Sequence, residues 1–118
     1  MQQQRSIKYL VVLFGWFLLM SYSLFTPAKH LSAPSNINFP GADKVVHFVL
    51  FAVLTYLTVK TVKMRNIKIS KFQLGCLLAL YAVITELVQI GISGRHGDFW
   101  DFLADVLGVT AVLIFIKI

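Results

Sequence analysis

Asp98, Asp101 and Asp105 stand at i, i+3 and i+7, the spacing that puts three carboxylates on one face of a helix. Glu86 and Gln89 stand at i, i+3 in an earlier apolar run, and Asp43 and His47 at i, i+4 in another. Carboxylates gathered around an imidazole can serve as general acid and base. Lys44 and Arg95, close by in the sequence, can hold a phosphate or a carboxylate. His47, Glu86, Asp101 and Asp105 are therefore the catalytic candidates. Asp43, Lys44, Gln89, Arg95 and Asp98 are candidates for substrate binding or membership of the same polar cluster. Histidine and carboxylates also suit a metal ion. The chain has no H-E-x-x-H, H-x-x-E-H or C-x-x-C, so no metal and no cofactor is expected from spacing.

Plainer roles compete for several of these residues. Asp43 and Asp98 each stand where a helix N-cap belongs, so capping and site membership both account for them. Lys44 can snorkel to lipid headgroups or pair with an acid. His30 and His96 read as solvated loop residues, and Cys76 as a small buried one. His47 falls inside an apolar run and shares a face with Asp43, which makes it the histidine to follow. Glu86, Gln89, Asp101 and Asp105 resist the plain readings best, because ionisable groups in membrane segments are costly. Interhelical hydrogen bonding is their structural alternative.

The elements that must position these groups are membrane helices. The 118 residues are 58% hydrophobic and 14% charged, more apolar surface than one soluble domain of this size can hide. Four apolar segments stand out: 7–25, 45–62, 72–92 and 99–116. Each approaches the ~20 residues that a bilayer asks of a helix, the second and fourth falling slightly short. The first has a basic start, but its apolar core is long for a signal peptide and no A-x-A site follows, so it is expected to remain as a helix. The fold expected is one all-α membrane domain over 1–118 with an irregular outer loop at 26–43, which holds Pro27, Pro34 and Pro40.

Charge fixes the expected orientation. Arg5, Lys8, Lys60, Lys63, Arg65, Lys68, Lys71 and Lys117 fall on the side of the N-terminus; Lys29, Lys44 and Arg95 fall on the other. The positive-inside rule then places both termini in the cytoplasm and every acidic residue in the outer half of the bundle. Small residues share the acidic faces: Ala82, Ala79 and Gly75 with Glu86, and Ala104, Gly108 and Ala111 with Asp101 and Asp105. Small residues allow close helix approach, so the second, third and fourth helices should pack with their acids facing one another.

The net charge of +6 sits in short loops beside apolar segments and serves topology. No basic stripe with interleaved aromatics is present, so no nucleic acid is expected. The expected partners are membrane lipids, a lipid-linked envelope substrate and, in an oligomer, further copies of the chain. Three functions compete: an envelope-acting enzyme or lipid binder, a structural or accessory membrane protein, and a small ion pathway. The last is the weakest, because the polar residues stop halfway along the helices.

The blocks "ADKVVHFVLFAVL" (42–54), "TELVQ" (85–89) and "RHGDFWDFLADVLG" (95–108) resemble those of the VanZ-like family. Its members are small bacterial membrane proteins named after an accessory protein of teicoplanin resistance. The shared pattern is D-K-x-x-H-F, then E-x-x-Q, then R and D-x-x-x-N-x-x-G. It falls on Asp43, Lys44, His47, Phe48, Glu86, Gln89, Arg95, Asp101, Asp105 and Gly108. The chain departs at Asp105, where the family often has Asn; an aspartate adds charge or a proton there. The resemblance implies a multi-pass protein of the bacterial cytoplasmic membrane with a link to the cell envelope.

Overall fold

A computed structural model of the chain describes residues 2–25, 42–91 and 99–116. The described residues form four α-helices: α1 (Gln2–Phe25), α2 (Ala42–Met64), α3 (Lys71–Ile90) and α4 (Phe99–Phe115). Each contains one of the apolar segments. In hydrocarbon every backbone N–H and C=O must be satisfied within the segment, which only a helix achieves for a single span. The helices do not stop where hydropathy stops. α1 runs through the polar Gln2–Ser6, and α2 begins at Ala42, so the outer loop expected to end at 43 gives way to helix earlier. α3 ends at Ile90, with Gly91 as its cap, rather than at 92.

Local chemistry sets the turn between α2 and α3. Asn66 adopts a left-handed φ of 55°. Its N–H donates to Lys63 O at 3.2 Å, and Ile67 N–H to Val62 O at 3.0 Å, the paired bonds of a Schellman stop. Ser70 then opens α3 with a capping box: Gln73 N–H donates to Ser70 Oγ, and Ser70 N–H to Gln73 Oε1, each at 3.1 Å.

Three helices, α1, α2 and α3, are long and apolar enough to cross a membrane. α4 has 17 residues, about 25 Å of helix at 1.5 Å per residue, against a hydrocarbon core of about 30 Å. The surface is inverted relative to a soluble protein. Val11, Phe14, Leu18, Leu80, Leu107 and Ile114 are exposed, whereas His47, Glu86, Gln89, Asp101 and Asp105 are buried. That arrangement fits a lipid surround.

The packing order around the bundle is α1–α2–α4–α3 and back to α1, with α2–α4 the most extensive interface. α2 and α3, though joined by a short turn, face each other across the bundle and meet through side chains, the Phe51 and Tyr81 rings lying 5.7 Å apart. The expectation that α2, α3 and α4 pack together is met with α4 as the intermediary. Trp16 ties α1 to α2, its Nε1–H donating to Leu50 O at 3.1 Å. Ser21 and Tyr81 tie α1 to α3 through a 2.6 Å hydroxyl pair. Cys76 is exposed on α3, a correction to the buried role expected of it: its side chain leaves the helix on the face opposite Leu74, Leu78 and Ala82.

Candidate functional site

One glycine decides where the polar residues meet. A Cβ at Gly108 would lie 2.4 Å from Phe48 O and 3.1 Å from Ala52 N, so the α4 backbone rests directly on that of α2. The two helices run parallel at this contact. One turn back toward their N-termini, Asp105 on α4 comes opposite His47 on α2. The buried face of α4 is Asp101, Ala104, Asp105, Gly108 and Val109, the small-residue stripe and acidic stripe coinciding as the spacing predicts.

The contacts form a chain. His47 Nδ1 and Asp105 Oδ1 share a hydrogen bond of 2.8 Å. On the other side of the ring, His47 Nε2 lies 3.7 Å from Asp101 Oδ2. Asp101 Oδ1 in turn pairs with Lys44 Nζ at 3.3 Å. Both imidazole nitrogens thus face carboxylate oxygen, and a neutral ring can donate through only one. His47 is 4% exposed and Asp105 wholly buried, while the Lys44 side chain is about a third exposed and marks the solvated edge.

α3 adds the third side. Glu86 and Gln89 lie on its buried face with Thr85, Ala82, Leu78 and Leu74. His47, Glu86 and Asp105 each present one potential ligand atom, and these three atoms lie within 4.8 Å of one another. The set comes from three helices, which is why no local motif announces it. Asp105 Oδ2 is enclosed and accepts no hydrogen bond from the described residues. Carboxylates so placed cost several kcal/mol each unless paired or ligated.

Beyond this cluster the buried side chains among the described residues are mainly apolar. Phe51, Leu54, Val59, Leu74, Leu78, Ala82 and Val109 form its core. The buried hydroxyls of Thr55 and Thr61 are spent on their own helix, donating to Phe51 O and Leu57 O at 2.7 and 2.8 Å. Basic residues gather at the far end, where Arg65 donates to Ser6 Oγ at 3.2 Å.

The structure therefore brings together Lys44, His47, Glu86, Asp101 and Asp105, with Gln89 on the same buried face as Glu86. Lys44 makes the ion pair that was one of its two expected roles. Asp43 stands in the first turn of α2 rather than before it, and its side chain, like Arg95, Asp98, His30 and His96, lies outside the described residues. Sequence reasoning missed Thr85, fully buried with its hydroxyl donating to Ala82 O at 2.7 Å. Extending the Gln89 face backwards by one helical step, to 85, would have found it.

No curated protein and no solved structure matches the chain. The profile of one family, VanZ/LLP1, matches residues 1–118, well beyond the three sequence blocks that carry the resemblance. This all-helical membrane protein belongs to the VanZ/LLP1 family.

Proposed function

We propose that this VanZ/LLP1-family protein crosses the bacterial cytoplasmic membrane four times and turns its polar cluster outward, where it binds or acts on a lipid-linked or other cell-envelope substrate. Both termini and the basic turn between α2 and α3 then lie in the cytoplasm, and α4 spans a locally thinned bilayer. The observation that carries the reading is the Lys44–Asp101–His47–Asp105 chain, with Glu86 against it, at the opposite end of the bundle from the basic turn. An intramembrane ionisable group is a functional group by default, because a purely structural pair can be replaced by apolar packing at little cost. Lys44, paired with Asp101 at the solvated edge, would meet an anionic headgroup, and His47 between two carboxylates is the proton-handling group. The name of the family connects this reading to glycopeptide resistance.

The test uses purified protein in nanodiscs with candidate envelope lipids, scoring folded yield separately from binding and turnover. Glu86→Gln and Asp101→Asn should keep their folded yield and lose binding or processing. Variants that handle these lipids as wild type does would sink the proposal.

A second reading is favoured by the position of the cluster one turn from the Gly108 backbone contact. There the polar groups lock α2 to α4, and the protein is structural or accessory. Alanine substitutions would then lower thermal stability, abundance and function together.

A further inference from the structure

Glu86, Asp101 and Asp105 are buried acids gathered about His47, and Lys44 pairs with Asp101. Buried carboxylates in a membrane are stabilised by pairing, by protons or by a bound cation.

We propose that His47, Glu86 and Asp105 bind a single divalent first-row transition metal ion, of the Zn2+ or Mn2+ type. Three observations support it together. The three ligand atoms lie within 4.8 Å of one another and come from three helices that the fold fixes. Metal–ligand bonds of about 2.0–2.2 Å put tetrahedral ligand atoms roughly 3.4 Å apart, so closing the widest pair takes about 1.4 Å of side-chain movement. Asp105 is wholly buried, and its Oδ2 accepts no hydrogen bond from the described residues, leaving a lone-pair site for an ion. Finally, Asp101 Oδ2 stands 3.7 Å from the second ring nitrogen of His47. That is longer than a hydrogen bond, but a small side-chain movement would make Asp101 the carboxylate that orients a ligating imidazole, with Lys44 paired to it in turn.

One histidine and two carboxylates suit zinc or manganese better than a thiol-seeking ion, and three protein ligands leave a fourth position for water or substrate. The inference deepens the proposed reading by giving the same cluster a ligand; it does not depend on which envelope substrate, if any, is bound.

The test is a titration of full-length, chelator-stripped protein in detergent with Co2+, Zn2+ and Mn2+. Bound metal is counted by elemental analysis after gel filtration, and Co2+ is followed by its ligand-field absorption. Wild type should hold one ion per chain. Asp101→Asn should weaken binding by roughly 10- to 100-fold, as loss of a relay carboxylate does. Glu86→Gln combined with Asp105→Asn should weaken it further. Cys76→Ser and a His30→Ala/His96→Ala double variant should bind as wild type does. The inference is overturned if wild type holds no ion above a stripped control protein. Equal binding by the Glu86/Asp105 double variant, or loss of binding in the His30/His96 variant, also overturns it. Gel filtration reports which variants fold, and if the double variant does not, the wild-type count and the Asp101→Asn affinity decide. A chain that binds metal but no envelope lipid sinks the substrate reading alone; one that binds the lipid but no metal sinks this inference alone.

Discussion

Replacing Gly108 with alanine should damage this protein more than any other glycine-to-alanine change among its helices. The added Cβ would meet Phe48 O at 2.4 Å, Ala52 N at 3.1 Å and Phe48 C at 3.3 Å. All three are backbone atoms of α2 and cannot rotate away. A carbon–oxygen contact relaxes to about 3.3–3.6 Å, so α4 must retreat from α2 by about 1 Å. The His47–Asp105 bond of 2.8 Å lies one turn away and would stretch out of hydrogen-bonding range. Overpacking of this kind costs about 1–3 kcal/mol, and with a backbone obstacle and a buried polar bond behind it the upper part of that range applies. Two to three kcal/mol is roughly a 30- to 140-fold change in the unfolding equilibrium. Two controls are built into the chain. A Cβ at Gly75 meets the movable Leu113 Cδ1 at 3.3 Å, and one at Gly15 meets nothing within 4 Å. Gly75→Ala should therefore cost under about 1 kcal/mol, and Gly15→Ala should be neutral or stabilising through helix propensity. Unfolding by SDS titration in mixed micelles, followed by circular dichroism, orders the three. If Gly108→Ala unfolds within about 0.5 kcal/mol of Gly15→Ala, the close α2–α4 contact is wrong, and with it the placement of Asp105 against His47.

Three further outcomes follow from single contacts. Asp105→Leu should cost about 1–3 kcal/mol in the same titration, because it strands a buried His47 nitrogen, whereas Asp105→Asn keeps an acceptor and should cost less. Tyr81→Phe removes the hydroxyl pair to Ser21 while keeping the ring against Phe17 and Phe51, so a loss of about 0.5–1.5 kcal/mol is expected. A nitroxide attached to Cys76 in lipid should be relaxed by oxygen far more than by a water-soluble nickel chelate, since the side chain lies on the outer face of α3; the reverse order would put that face against protein or water.

Much of the site was legible before any helix was placed. Hydropathy marked where the helices lie, because lipid forces long apolar segments to satisfy their own backbone. The i, i+3, i+7 spacing marked which acids share a face, because helical geometry is the same wherever the helix sits. The sequence therefore identified Asp101 and Asp105 as one stripe, and Glu86 with Gln89 as another. Helix ends were less legible. Gln2–Ser6 is polar yet helical, and the Asn66 stop depends on a backbone conformation that composition does not report.

Taken alone, then, the sequence determined the membrane class, the helices, their polar faces and the family pattern, all of which are local properties of composition and period. The tertiary structure decided who meets whom. It set α4 between α2 and α3, took Cys76 to the outside, and placed Asp101 and Asp105 on opposite nitrogens of one imidazole. The physical reason is that those contacts follow from how closely two backbones approach, and that distance is set at Gly108, where a missing Cβ lets α4 rest on α2.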